Sequence, residues 1–219
     1  MRATVGVLAL QGDFAEHIAT FKRCNTKVEC REVRKKEQLE GLHGLVIPGG
    51  ESTVMLKLLK DFDMFDAVRD FGVSGMPCFG TCAGCIMMSK SIDVDKAMAQ
   101  SIQPNQSTLQ LADYTVTRNA YGAQTHSFET ELEGDTAVFG KTPCRAVLIR
   151  APMITSAGEG TQSLLAHTHP ERGSTPVLLR QGNVLACTFH PEITGDARIH
   201  EYFLSYIVTP HNKSYTLSK

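Results

Sequence analysis

A cysteine between small residues is the strongest chemical signal in the sequence. Cys82 lies in Gly80-Thr-Cys-Ala-Gly84, which follows an apolar run and precedes a helical pattern. Small residues on both flanks allow a sharp strand-to-helix turn that raises one nucleophilic side chain above a sheet. The start of the helix would favour a thiolate, and the Ala83 N–H could bind a developing oxyanion. The pattern therefore predicts a nucleophilic cysteine.

Other roles for Cys82 stay open on this pattern alone. Cys82 and Cys85 have the spacing of a redox or zinc-binding pair, and many cysteines are simply buried in the core. No second cysteine pair with zinc-like spacing occurs in the chain, so no metal site is expected. A thioredoxin-like pair normally lacks glycine on both flanks, which favours the nucleophile.

A thiol nucleophile needs a base, and the base needs a group that orients it. His190-Pro-Glu192 follows a predicted strand, and residues two apart in an extended chain lie on the same side. Glu192 could then hold the His190 imidazole, although a histidine satisfied at a strand end is the simpler alternative. The same tripeptide occurs at His169-Pro-Glu171, in a predicted solvent-facing hairpin loop, so we favour the second copy.

A third motif is a Gly-Gly loop, Pro48-Gly-Gly-Glu-Ser52, at the end of an apolar run. Paired glycines let the backbone approach a ligand and present N–H groups to it. The alternative is a tight turn before a helix, with Ser52 as the N-cap.

The elements that must position these motifs form an α/β pattern. Residues 4–10, 27–33, 44–47 and 76–79 are predicted strands, and helical patterns lie between them. The alternation predicts one α/β domain, with a mostly parallel, doubly wound sheet and helices on both faces. Ligand sites of such sheets lie beyond the carboxyl ends of the strands.

The second half is predicted to be richer in strands, and it ends in a helix at 197–208. The predicted strands are 114–118, 127–132, 146–150, 163–166, 177–179 and 184–189, and the predicted loops are 91–107, 155–161 and 169–176. We expect a domain at 1–209 and a flexible tail at 210–219.

Composition narrows the classes of function. The chain has 219 residues, a net charge of −1 and 42% hydrophobic residues, so neither nucleic acid nor a membrane is an expected partner. Seven cysteines and the absence of a secretory signal favour a reducing, cytoplasmic location.

Taken together, the motifs resemble those of the class I (triad) glutamine amidotransferases, and in particular of the glutaminase subunits of pyridoxal 5'-phosphate synthases. The resemblance runs from the first strand to the last helix. The matching segments are Gly6-Val-Leu-Ala-Leu-Gln-Gly12, Pro48-Gly-Gly-Glu-Ser-Thr53, Gly80-Thr-Cys-Ala-Gly84, Arg118-Asn-Ala-Tyr-Gly122, Ser127-Phe-Glu129, Ile149-Arg-Ala-Pro152 and Phe189-His-Pro-Glu192.

The resemblance implies a catalytic triad and a glutamine pocket. Cys82 would be the nucleophile, His190 the general acid and base, and Glu192 its orienter. Gly50 and Ala83 would form the oxyanion hole. The residues that would contact L-glutamine are Gly50, Glu51, Ser52, Arg118, Ile149 and Arg150.

The resemblance also implies a partner. Gln11 would face a barrel-shaped synthase subunit, which receives ammonia by a protected path and joins it to a pentose phosphate and a triose phosphate. No cofactor is implied. Ala123 and His126 depart from the residues usual in the family, which leaves the details of the partner surface open.

Three alternatives remain on the sequence alone. The chain could be another triad glutaminase or a γ-glutamyl peptidase. It could be a catalytically silent regulatory subunit, although an intact Cys82, His190 and Glu192 argues against that. It could also be a redox sensor that uses Cys82 and Cys85.

Overall fold

The described part of the chain folds into twelve strands and seven α-helices. The computed structural model describes residues 3–93, 107–118, 120, 127–169 and 172–217, with side chains described to residue 213. Most of the predicted 91–107 loop, together with Ala123 and His126, lies outside these residues.

The strands and helices have the following bounds. The strands are β1 (Thr4–Leu8), β2 (Glu29–Val33), β3 (Gly44–Ile47), β4 (Cys78–Thr81), β5 (Ser91–Asp93), β6 (Tyr114–Thr117), β7 (Ser127–Leu132), β8 (Cys144–Ile149), β9 (Met153–Ala157), β10 (Thr161–His169), β11 (Gly173–Gln181) and β12 (Val184–Cys187). The α-helices are α1 (Phe14–Arg23), α2 (Ser52–Asp61), α3 (Phe65–Val73), α4 (Ala83–Met88), α5 (Thr136–Phe139), α6 (Arg198–Tyr202) and α7 (Thr209–Leu217). Short 3-10 helices cover Lys36–Leu39 and Pro191–Ile193, and a π-helix covers Phe203–Val208.

A seven-stranded mixed sheet, in the order β10-β11-β12-β4-β3-β1-β2, forms the centre of the molecule. The strands from β12 to β2 pair in parallel, and β10 and β11 extend one edge as antiparallel strands. Smaller sheets are formed by β5-β6-β9 and by β7-β8. The predicted α/β class with a β-rich second half is therefore confirmed.

Both faces of the central sheet are covered, as the fully buried inner strands β1, β3, β4 and β12 require. In β3, Leu45 and Ile47 point into the cluster formed with α2, α3 and α4, whereas Val46 points into the opposite cluster. This alternation is the two-residue period of a strand. The opposite cluster contains Phe21 of α1 and Phe203 of the π-helix, so the sheet is doubly wound.

Five local predictions are corrected by the structure. The 155–161 and 169–176 loops are largely strand, because β9 pairs with β6 and because β10 and β11 form a long hairpin. The predicted 91–107 loop begins with the short strand β5. Ser52 is the first residue of α2 and not its cap, since the Glu51 carboxylate accepts the hydrogen bond from Val54 N. His169, expected to face solvent, is buried at the end of β10.

The chain ends in a longer helical segment than the predicted 197–208. The π-helix at Phe203–Val208 interrupts α6, and helix continues as α7 to Leu217. The domain boundary at 209 remains a prediction.

No helix in the described part of the chain is long and apolar enough to cross a membrane.

Candidate active site

Cys82 occupies a strained turn between β4 and α4. Its backbone φ is 44°, in the left-handed region that non-glycine residues seldom adopt. The small flanking residues are required by packing, because a Cβ on Gly84 would lie 2.0 Å from the Ile47 carbonyl oxygen. A Cβ on Gly80 would lie 2.7 Å from the backbone of Gly84. The turn therefore has the shape that the sequence predicts for a nucleophile elbow.

Neighbouring strands bring His190 to the same edge of the sheet as Cys82. β12 pairs with β4 in parallel, with Cys187 opposite Thr81, so the two chains leave the sheet side by side. The backbone N–H of His190 donates to Val147 O of β8 at 2.9 Å, which fixes the residue beyond the strand end. Its imidazole interacts with the Cys82 side chain.

Glu192 holds the other side of the imidazole. Its Oε1 lies 2.7 Å from His190 Nδ1, and the side chain of Glu192 is completely buried. A carboxylate at Nδ1 keeps that nitrogen protonated and leaves Nε2 to face the sulfur. The structure thus brings Cys82, His190 and Glu192 together.

Asp13, which no sequence motif indicated, also faces the imidazole. Its Oδ2 lies 3.3 Å from His190 Nδ1, and 40% of its side chain is exposed. The hydrogen bond to His190 keeps the pKa of Asp13 below its ordinary value, although partial burial opposes the shift. Asp13 lies between the Gly12 turn and the start of α1. An acidic residue in a glycine turn after the first strand was the sequence feature that could have indicated its role.

The electrostatic balance at His190 favours the protonated ring. Burial lowers its pKa, but hydrogen bonds with Asp13, Cys82 and Glu192 outweigh burial and raise the pKa to about 12. A protonated imidazole next to sulfur stabilises a thiolate and can later give its proton to a leaving group.

The other six cysteines have thiols that burial keeps protonated. Burial raises the pKa of the Cys78 and Cys85 thiols to about 12, and burial also raises the pKa of the thiols of Cys24, Cys30, Cys144 and Cys187. Cys85 is fully buried in the core below the elbow. Thiolate chemistry is thus disfavoured at every cysteine other than Cys82.

The Gly-Gly loop packs directly against the imidazole. Gly49 O accepts a hydrogen bond from Asp13 N at 3.1 Å, and a Cβ on Gly49 would lie only 2.4 Å from His190 Cε1. Gly50 has a φ of 151°, and Gln11 Oε1 accepts the N–H of the next residue, Glu51, at 2.9 Å. Glycine is therefore needed here for close approach.

A charged pair lies beside this loop. Glu51 Oε1 accepts a hydrogen bond from Arg118 Nη2 at 2.9 Å, and Arg118 Nη1 donates to Thr53 Oγ1 at 3.1 Å. Only 17% of the Arg118 side chain is exposed. Ser52 is buried at the start of α2. The pair offers groups of both signs, which suits the ammonium and carboxylate of an amino acid.

Ile149 and Arg150 lie at the end of β8, just beyond the carbonyl that holds His190 N. Ile149 is 37% exposed, and Arg150 has a φ of 45°. Ala151 O accepts the N–H of Ala120, which ties this segment to the one that carries Arg118.

Three side chains at this site are of the types that bind metal ions. Asp13, His190 and Glu192 form the one group of three potential ligands found among the described residues, with ligand atoms within 4.8 Å of one another. Both carboxylates approach the same ring nitrogen, Nδ1. Two acceptors around one N–H explain this arrangement without an ion.

Comparisons with known proteins agree with this geometry. Residues 7–209 match the model of the SNO glutamine amidotransferase family. A Pelotomaculum thermopropionicum protein named pyridoxal 5'-phosphate synthase subunit PdxT is 48% identical over 204 residues, which are 93% of this chain and 95% of the relative. A Thermus thermophilus protein of the same name is 46% identical over 205 residues, 93% of this chain and 97% of the relative.

Solved structures give the same picture. A crystal structure of a glutamine amidotransferase is 44% identical, with a TM-score of 0.78 over 94% of this chain and 98% of that one. The structure of PurLQS from Thermotoga maritima has a TM-score of 0.61 at 13% identity, over 94% of this chain and 99% of the matched one, and shows the shared fold alone.

The sheet, the strained cysteine and the 44% identical structure define the class, which is that of the cysteine-dependent glutamine amidotransferases. The particular family is equally clear from the match at 7–209, and the chain belongs to the SNO glutamine amidotransferase family. The resemblance to the glutaminase subunits of pyridoxal 5'-phosphate synthases is thereby confirmed.

Proposed function

We propose that this protein hydrolyses L-glutamine to L-glutamate and ammonia and delivers the ammonia to a barrel-shaped synthase subunit that makes pyridoxal 5'-phosphate. One observation gives the main support for this reaction. The His190 imidazole, with its raised pKa, lies between the Cys82 side chain and the buried Glu192 carboxylate.

In the first step the Cys82 thiolate attacks the side-chain amide carbon of glutamine. The carbonyl electron pair moves to oxygen, which is stabilised by the N–H groups of Gly50 and Ala83. Ala83 is the first residue of α4, so its N–H has no acceptor within the helix. Loss of one such donor typically costs about a hundredfold in rate.

In the second step the tetrahedral intermediate collapses and the carbon–nitrogen bond breaks. His190 gives its proton to the departing nitrogen, which leaves as ammonia, and a thioester links glutamate to Cys82. Neutral His190 then takes a proton from water, whose oxygen attacks the thioester. Glutamate leaves, and the thiolate and the protonated ring are restored.

The Glu51–Arg118 pair binds the amino-acid end of the substrate. Glu51 attracts the α-ammonium and Arg118 attracts the α-carboxylate. Ser52 and the segment at Ile149-Arg150 complete the pocket wall. These contacts hold the amide carbon over the sulfur. Correct positioning of two reacting groups raises the rate by several orders of magnitude.

A partner is needed because of the chemistry of ammonia. Released into water at neutral pH, ammonia gains a proton and loses its nucleophilicity, so a protected path to a synthase is required. We therefore expect the protein to act in the cytoplasm together with the synthase subunit and to use no cofactor of its own.

The test is glutamate release by the purified chain, with and without the synthase subunit. Cys82→Ala should abolish release under both conditions, whereas Cys85→Ala, one turn further along α4, should keep it. Release by the Cys82→Ala protein would contradict the proposal. Inactivity of the wild-type chain even with the partner would instead indicate a silent regulatory subunit.

A further inference from the structure

A second pair of buried histidines lies behind the catalytic carboxylate. His17 of α1 and His200 of α6 are both completely buried, and His17 Nδ1 lies 2.9 Å from His200 Nε2. Phe79 packs edge-on against both rings, and Phe21 packs edge-on against His200. The proposed mechanism uses neither histidine.

The other edge of His17 faces the active site. His17 Nε2 lies 3.0 Å from Thr81 Oγ1, on the residue directly before the nucleophile, and 3.7 Å from Glu192 Oε2. That Glu192 oxygen is buried and accepts no hydrogen bond from the described residues, because the 3.7 Å separation from His17 Nε2 is too long for one. A buried carboxylate oxygen without a hydrogen-bond donor is energetically unfavourable. The orientation of the nearest N–H group therefore affects the stability of the carboxylate.

Burial makes both rings neutral, because it lowers the pKa of His17 and of His200 to about 3. A neutral imidazole carries one N–H, and the contact between the two rings needs one donor and one acceptor. Only two proton arrangements satisfy that contact.

In the first arrangement His17 donates from Nδ1. Its Nε2 lone pair then faces the Glu192 carboxylate, and the remaining N–H of His200, on Nδ1, has no acceptor among the described residues. In the second arrangement His200 donates from Nε2, and His17 carries its proton on Nε2. That proton is donated to Thr81 Oγ1 at 3.0 Å, and its partial positive charge also lies near Glu192 Oε2, which is 3.7 Å from the ring nitrogen. On the two rings, the second arrangement leaves only the His200 Nδ1 lone pair unsatisfied, which costs less than a buried N–H.

We propose that His17 is a positioning residue of the glutaminase: its Nε2–H is donated to Thr81 Oγ1, on the residue before the nucleophile, and attracts the nearby Oε2 of Glu192, which anchors the carboxylate. The proposal rests on the proposed function and deepens it. With Oε2 anchored, Oε1 stays at His190 Nδ1. Without the anchor, Glu192 can turn away, and the half-exposed Asp13 becomes the main carboxylate at that nitrogen.

The proton arrangement can be measured directly by long-range proton–nitrogen NMR correlation of the wild-type histidine rings. We expect the Nε2–H form at both His17 and His200. The Nδ1–H form at both rings would overturn the proposal. This measurement does not depend on activity, so it separates failure of this inference from failure of the proposed function.

Kinetics with the synthase subunit tests the positioning role. His17→Leu removes the donor and keeps a buried apolar side chain, and kcat should fall about tenfold, as for other supporting hydrogen bonds, with little change in KM. His17→Gln offers an amide N–H at a similar reach and should restore most of the rate. His169→Leu, a buried histidine outside the site, should match the wild type.

The pH profile distinguishes positioning from packing. His190 is faced by Asp13 from the start of α1, by Cys82 from the elbow and by Glu192 from its own 3-10 helix, with His17 behind the carboxylate. Displacing Glu192 removes one group that raises the His190 pKa, so the alkaline limb of kcat/KM should move to lower pH in His17→Leu and return in His17→Gln.

Two kinetic outcomes would contradict the proposal. One is a folded His17→Leu protein with wild-type kcat and pH limits. The other is an equal loss in His17→Leu and His17→Gln with no movement of the alkaline limb, which would show that the ring only fills space. If His17→Leu fails to fold, the His17→Gln profile and the NMR tautomers still decide the question.

Discussion

The tight packing between Gly49 and the catalytic imidazole makes Gly49→Ala a sharp probe of the active site. The new Cβ would lie 2.4 Å from His190 Cε1 and 2.8 Å from Nδ1, whereas ordinary contacts begin near 3.4 Å. The hydrogen bond from Asp13 N to Gly49 O pins the loop, so the ring must yield by about 1 Å. A displacement of about 1 Å at a reacting group costs about a hundredfold in rate.

The assay is steady-state glutamate release with the synthase subunit, run beside a thermal melt. Gly49→Ala should lose about a hundredfold in kcat, with overpacking costing about 1–3 kcal/mol in unfolding free energy. Gly41→Ala is the matched control, since its Cβ meets open space. Its φ of 72° costs about 1–2 kcal/mol in strain, so it loses stability and keeps activity. A Gly49→Ala enzyme with wild-type kcat would refute the reasoning.

Three further results are expected. His190→Ala should lose about a thousandfold in kcat, while His169→Ala, in the other copy of the tripeptide, should stay near wild type; the reverse would reassign the base. Asp13→Asn removes a charge that raises the His190 pKa, so the alkaline limb of kcat/KM should move to lower pH, and an unmoved limb would exclude Asp13 from the balance. Arg118→Ala should raise KM for glutamine about tenfold through loss of a charged contact, whereas an effect confined to kcat would place Arg118 outside the binding pocket.

The sequence predicted the parts of the site that depend on local pattern. The elbow around Cys82, the strand that leads to His190 and the spacing to Glu192 are all encoded within a few residues. The parallel core was predictable for the same reason, because short apolar runs such as Gly44–Ile47 are bounded by glycine and proline. Here local sequence and tertiary packing require the same conformation.

The features that the sequence did not reveal depend on distant partners. The buried pair of His17 and His200 joins residues 183 apart in the chain. Residues 173–176 of the predicted 169–176 loop are strand because turn-like residues such as Gly173 and Pro176 pair across the hairpin with β10. Neither residue type predicts a strand locally, so tertiary pairing overrode propensity.

Ser52 shows a smaller failure of the same kind. A serine before an apolar helical pattern predicts an N-cap. Glu51 takes that role instead, since its carboxylate reaches Val54 N with one oxygen and Arg118 with the other. The competing ion pair selects which residue caps the helix.

The central claim is that Cys82 alone forms the covalent intermediate. Treatment with diazo-oxo-norleucine, a glutamine analogue that alkylates such nucleophiles, followed by peptide mass spectrometry tests it directly. The structure predicts a single label on Cys82, because burial raises the pKa of the other thiols, Cys85 to about 12 among them. A label on any other cysteine, or labelling that persists in Cys82→Ala, would contradict the account.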